Sequence, residues 1–308
     1  MIAALRDVRR PLGLFTVLLL AGACATPANL PPAHVALTDS GVPVNVISQT
    51  DTLKVISLNA AHSRSMGLHQ VLQSQDDARA NLDSMVSMLT REQADIVALQ
   101  EVDGPSIWSG KFDHVNYLAR AAGYGSTVRG THMKAPGLDY GTAIIARVPL
   151  DDAESKGFDA EISLARKGFV ISSLQWPGRL DTKIDVVSVH LDPLLSGARK
   201  QQVRDLMQVI KRRGRPVIVM GDLNDDWQDE DSAARLLAKA LGMTAELQTC
   251  EECHTHRRMK NFVDWIMVSP EIQIDYFGVV PDEVSDHFAV SATLSLVDED
   301  TDTFVNTL

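Results

Sequence analysis

The stretch PVIVMGDLNDD at 216–226 constrains the fold more than any other part of this sequence. Its apolar run, Val217-Ile218-Val219-Met220, follows a turn signal, Gly214-Arg215-Pro216, and carries no polar residue at either alternate set of positions. A strand of that kind is buried on both faces, so the chain needs a sheet with further layers on each side of it. Gly221 ends the run, and Asp222, Asn224, Asp225 and Asp226 arrive at once. Period-two geometry puts Asp222 and Asn224 on the same side. Oxygen-rich groups converging at a strand's carboxyl end suit a hard divalent cation, or the water and phosphate around one. A solvated acidic loop is the plainer reading of the same residues. A calcium loop fits at Asp222, Asn224 and Asp226 but fails where Gly and Glu are required, at Trp227 and Ala233.

The 308 residues, 45% hydrophobic and 22% charged, suffice for one large domain or two small ones with a sizeable core. A net charge of −11 makes the chain a poor non-specific nucleic-acid binder on charge alone, though a bound cation and a local basic rim can offset it. Arg6, Arg9 and Arg10 precede an apolar segment at 11–20 that is too short to span a membrane as a mature helix. Residues 1–23 therefore read as a signal peptide. Leu20-Ala21-Gly22-Ala23-Cys24 is similar to the bacterial lipoprotein box, so Cys24 is the expected lipidation site, with a plain cut after Ala23 or Ala25 as the alternative. Either product leaves the cytoplasm for the cell envelope. The proline-bearing residues 24–50 read as a tether, 51–298 as one catalytic domain, and 299–308 as a polar tail. Cys250 and Cys253, with His254 and His256 close behind, point to a local disulfide in an oxidising compartment or, less readily, a zinc site.

Strands are expected at 53–58, 95–99, 142–148, 168–174, 183–189, 217–220, 262–268 and 288–296. Helices are expected at 76–92, 114–122 and 198–211. This is an α/β or α+β pattern with a large mixed sheet. Asn59, Glu101, His190 and the Asp222/Asn224 pair each follow an apolar strand directly, and ligands gather outside strand ends in such sheets. Taken singly, each has a bland explanation. Glu101 can be a surface carboxylate, Asp264 can cap a turn, and His62, His69, His114 and His132 read as surface or packing residues. The recurrence, together with Ser285-Asp286-His287, argues for one shared site.

In order along 53–296, LKVISLNAAH, DIVALQEVD, DYGTAIIARVPL, VVSVHLDP, VIVMGDLND, FVDWIMVS and VSDHFAVSATL reproduce a motif series. With them the chain resembles the endonuclease/exonuclease/phosphatase superfamily. The resemblance implies a four-layer sandwich, with two mixed sheets face to face and helices outside. It also implies one Mg²⁺ or Mn²⁺ ion held mainly by Glu101, with Asn59 and Asp286 touching the ion or its waters. Asp222 and Asn224 would position water and phosphate. His287, oriented by Asp264, would be the general base. His190 would bind the phosphate and protonate the leaving oxygen. Tyr140 falls where some members place a phosphate-contacting aromatic, and Arg199 and Gln202 read as structural. These residue types suit phosphodiester hydrolysis, which must neutralise an anion and deprotonate water near neutral pH.

His190 separates the deoxyribonuclease, lipid-phosphodiesterase and phosphatase branches from abasic-site endonucleases. The expected function is an exported metal-dependent phosphodiesterase, first a nuclease. A phospholipid, sphingomyelin or sugar-phosphate hydrolase is the alternative, and a non-catalytic envelope lipoprotein is the reading from another class. Expected partners are a phosphodiester substrate and the membrane, through Cys24; the chain is expected to be a monomer. Two small basic clusters, Arg166-Lys167 and Arg257-Arg258 with Lys260, can grip phosphate but read first as solvated loop charges.

Overall fold

A computed structural model describes residues 51–65, 67, 74–159, 166–179, 181–246 and 254–297. The leader with Cys24, the tether, His69, Cys250, Cys253 and the polar tail lie outside the described residues.

Two six-stranded sheets form the centre. The first contains β1 (Thr52–Asn59), β2 (Ile96–Asp103), β3 (Ser126–Ala135), β4 (Leu138–Ala146), β11 (Ile272–Val280) and β12 (Ala289–Leu296), in the order β11-β12-β1-β2-β4-β3. The second contains β5 (Asp151–Gly157), β6 (Gly168–Gln175), β7 (Lys183–His190), β8 (Val217–Asp222), β9 (Thr244–Ala245) and β10 (Asp264–Val268), in the order β5-β6-β7-β8-β10-β9. Each sheet has one parallel pair at its centre, β1 with β2 and β7 with β8, and antiparallel neighbours outside.

Alternation along the central strands sorts side chains between two environments. Val55, Ile96, Ala98, Val186, Ile218, Met220 and Ile266 face the opposite sheet and share one core. The intervening Ile56, Leu58, Val97 and Leu99 face outward and meet Leu82, Met85 and Leu89 of α1 (Gln75–Glu92) and Val115 and Leu118 of α2 (His114–Ala122). On the other side Val187, Val189, Val217 and Val219 meet Leu206 and Val209 of α3 (Ser196–Arg213) and Leu237 of α4 (Ala233–Leu241). Both faces of the central strands are thus covered, which is why their sequences read as nearly continuous apolar runs. The outcome is the four-layer mixed-sheet sandwich that the motif series implied. Among the described residues no helix is long and apolar enough to cross a membrane.

Four strands and one helix were not expected from the sequence. β3 and β5 are edge strands rich in polar residues, β9 is only two residues long, and β11 is a partly exposed edge strand. Edge strands are specified by pairing more than by burial, so they lack an apolar run. α4 spans only nine residues and starts at Ser232, whose hydroxyl accepts from Arg235 N at 3.2 Å.

Candidate active site

The inward stripe of each central strand continues past the core into a polar cleft. On β1, Val55 is followed at two-residue steps by Ser57 and Asn59; on β7, Val186 by Ser188 and His190; on β8, Ile218 by Met220 and Asp222. β10 runs the other way, so its first residue, Asp264, lies beside Asp222. Asn59 Nδ2 donates to Asp222 Oδ2 at 2.9 Å and Gln100 Nε2 donates to Ser188 Oγ at 3.0 Å, tying one sheet to the other.

Glu101 enters the cleft through a break in this alternation. Gln100 already faces inward, so a regular strand would send Glu101 toward the helices. A register shift lies between Leu99 and Val102, and Glu101 has φ +49, which turns its carboxylate back to the inner side. Gly221 serves β8 differently. A Cβ there would lie 1.9 Å from Val189 O, so only glycine lets β7 and β8 approach closely enough to pair His190 with Asp222. Asn224 sits at φ +48, stabilised by a hydrogen bond from its backbone N–H to Asp222 Oδ1 at 2.9 Å. Ala61, His62 and Ser63 are all left-handed, with φ of 47°, 53° and 61°. Non-glycine residues there cost roughly 1–2 kcal/mol each.

The expected residues form one continuous set. His190 Nδ1 lies 4.0 Å from Glu101 Oε1, and its Nε2 is 3.4 Å from Asp222 Oδ2. The Asn224 amide nitrogen is 3.1 Å from His190 Nε2 and donates to Leu191 O at 3.1 Å. His287 Nε2 is 3.8 Å from Asp222 Oδ2, and its Nδ1 is 2.8 Å from Asp264 Oδ2. Asp286 Oδ2 accepts from Arg64 Nη2 at 2.8 Å. Tyr140 is buried, and its ring meets His62 edge-on and lies near-parallel to Trp108.

Sequence reasoning missed several neighbours. His62, expected to be surface or packing, is 5% exposed in the site, with Nδ1 2.6 Å from Asp103 Oδ1 and Nε2 3.5 Å from Glu101 Oε2. Trp108 Nε1 donates to the other Asp103 oxygen at 2.6 Å. Lys167, expected to be a solvated loop charge, is buried, donating to Glu101 Oε1 at 2.9 Å and to His190 Nδ1 at 3.3 Å. Arg257 instead pairs with Glu283 at 2.6 Å and donates to Ser285 O. His114 and His132 are buried packing residues, bonded to Ser109 O and Thr142 Oγ1.

The protonation states follow from these contacts. Burial alone would raise Glu101, but the Lys167 ammonium beside it holds its carboxyl well below the usual range. Burial, reinforced by Lys167, keeps His190 neutral. Burial would also lower His287, yet the Asp264 and Asp222 carboxylates outweigh it and push the imidazole up. Burial and the nearby Asp264 charge push Asp222 up.

The donor set fits a divalent cation. Glu101, Asp103, Asp222, Asp264 and Asp286 each contact a cationic or imidazole side chain of the site, Glu101 pairing with Lys167 and Asp286 with Arg64. Asp264 Oδ1 is buried with no hydrogen-bond partner, an unmet acceptor. Asp222, Asp264 and His287 also place one ligand atom each within 4.8 Å of one another, close enough to share an ion.

Solved structures share this architecture at low sequence identity. An endonuclease/exonuclease/phosphatase from Beutenbergia cavernae DSM 12333 aligns with TM-score 0.62 and 19% identity, over 80% of this chain and 72% of that one. Mannosyl-6-phosphatase of Bacteroides thetaiotaomicron VPI-5482 aligns at 0.60 and 17%, over 79% and 100%. The human Nocturnin catalytic domain, solved with a sulfate anion, aligns at 0.61 and 16%, over 80% and 96%. Comparison with curated protein sequences finds no match. What these structures share with the chain is the mixed-sheet sandwich. A family profile covers residues 56–287, from within β1 to the imidazole beside Asp264, and the chain belongs to the Endonuclease/Exonuclease/phosphatase family.

Proposed function

We propose that the protein is a metal-dependent phosphodiesterase that acts on nucleic acid outside the cytoplasm, with His287 as the base that activates water. The observation that carries this reading is the unbroken run of contacts Glu101–His190–Asp222–His287–Asp264 at the ends of five strands. Asp264 holds His287 Nδ1, fixing the tautomer and stabilising the imidazolium that forms when Nε2 takes a proton. The 3.8 Å from Nε2 to Asp222 Oδ2 is too long for a direct hydrogen bond, so Nε2, once its proton is lost, is free to accept from a water that Asp222 orients. That water attacks phosphorus and the bond to the leaving oxygen breaks. His190, with Asn224 beside it, binds the phosphate, whose negative charge offsets Lys167 and favours the imidazolium that then delivers a proton to the departing oxygen. Glu101, with Asn59 and Asp286, would hold one Mg²⁺ or Mn²⁺, which when bound polarises a phosphoryl oxygen and offsets developing charge.

Nucleic acid is favoured by the half-exposed Trp108, an aromatic ring next to His62 and Tyr140 on which a base could stack. A phospholipid or sugar-phosphate substrate is the second reading. It draws support from the net charge of −11 and from Leu194 and Met259, exposed by 75% and 61% in the loops after β7 and before β10. The Arg6/Arg9/Arg10 leader and Cys24 support an exported, lipid-anchored enzyme; mass spectrometry of the mature N-terminus tests that anchor.

The test is hydrolysis of bis(4-nitrophenyl) phosphate with Mg²⁺ or Mn²⁺, with EDTA, and with His287→Ala. EDTA should abolish turnover, and His287→Ala should lower kcat by about 10²–10⁴-fold. Turnover that survives both treatments removes the mechanism. A panel of single-stranded DNA, duplex DNA, RNA, sphingomyelin and inositol phosphates then decides between the two substrate readings.

A further inference from the structure

The two oxygens of Glu101 have partners of different kinds. Lys167 Nζ engages Oε1 at 2.9 Å, while Oε2 faces His62 Nε2 at 3.5 Å. A carboxylate only accepts hydrogen bonds, so the 2.6 Å contact with Asp103 Oδ1 places a proton on His62 Nδ1. Asp103 is itself fixed from the other side by Trp108 Nε1. His62 Nε2 is therefore the atom left to meet Glu101, and a nitrogen lone pair facing a carboxylate oxygen needs a positive species between them.

That species is either a proton or a metal ion, and distance separates the two. A charge-assisted N–H···O bond is about 2.7–2.9 Å long. The observed 3.5 Å is too long for that, but it suits two ligands each about 2.1 Å from a shared ion. Metal-binding histidines characteristically donate their far ring N–H to a carboxylate, as His62 does. The ring is 5% exposed and packed between Trp108 and Tyr140, with centroids 5.3 and 5.1 Å away. It is carried on the left-handed turn at Ala61, His62 and Ser63, the kind of backbone outlier that persists where a side chain must be aimed.

We propose that His62 Nε2 joins Glu101 Oε2 in holding the site's divalent cation, making a mixed nitrogen–oxygen centre that prefers transition-metal ions to Mg²⁺. The inference rests on the phosphoesterase reading above, which requires a bound cation but not a nitrogen ligand. Lys167, by engaging Oε1, leaves Glu101 to bind through one oxygen. Imidazole ligation raises affinity for transition metals more than for Mg²⁺.

The test uses the full chain, stripped of metal and loaded with Mn²⁺. Pulsed EPR should show ¹⁴N coupling from an imidazole. His62→Gln should lose that coupling and bind Mn²⁺ about 10- to 100-fold more weakly, with Mg²⁺ affinity changed less. Bound Mn²⁺ without nitrogen coupling in the wild type overturns the inference and leaves the phosphoesterase reading standing. Coupling that persists in His62→Gln assigns the nitrogen to another histidine and also overturns it. If His62→Gln does not fold, competition in the wild type decides: Mn²⁺ should outcompete Mg²⁺ by about 100-fold, and equal binding overturns the inference. Failure of any Mn²⁺ to bind overturns both readings.

Discussion

At His287 burial pulls one way and two carboxylates pull the other, and the carboxylates win. A base must be unprotonated to take a proton from water, so kcat/KM should climb as pH rises until the His287 proton is lost. Asp264→Asn removes the nearest of those charges, 2.8 Å from Nδ1. The variant should shift the acid limb of the pH–kcat/KM profile to lower pH and lower the plateau by about 10²–10⁴-fold. A limb that stays put would mean that another group sets it. The expected residues were legible because they follow apolar runs and fall in the motif series. His62 and Lys167 were not, for separate reasons. Nothing in Ala61-His62-Ser63 announces a left-handed turn, since none of the three is glycine. Lys167 reaches Glu101 only because Gly168 of β6 pairs with His190 of β7, a long-range register that sequence does not display.

At the scale of elements, the site depends on how closely β7 and β8 approach. Gly221→Ala would put a methyl group 1.9 Å from Val189 O, which the parallel pair cannot absorb without opening. The expected cost is more than about 3 kcal/mol, read as a fall in the denaturation midpoint, with activity lost in the fraction that folds. A variant that keeps both full stability and full activity would contradict the close approach. The central strands β1, β2, β7, β8, β10 and β12 were legible because each is covered by other layers and must be apolar. The edge strands β3, β5 and β11 were not, because their identity lies in partners distant in sequence. The same limit hid the bulge at Glu101: the expected strand stopped at Leu99, whereas β2 continues to Asp103 through a residue with positive φ.

For the whole molecule, a net charge of −11 sets how a polyanion arrives. With Lys167 and Arg64 already paired to Glu101 and Asp286, long-range forces oppose a nucleic acid rather than steer it. Added monovalent salt should therefore leave KM for DNA unchanged or lower it as the repulsion is screened. Steady-state kinetics across a salt series checks this. A steep rise of KM with salt would instead reveal a phosphate-tracking surface.

The antiparallel partner of β1 is β12, C-terminal to every other described strand, and His287 lies two residues before it. During synthesis the ribosome releases Glu101, His190 and Asp222 well before His287, the base proposed above. On the proposed mechanism, hydrolysis therefore begins only once the two distant ends of this region have met.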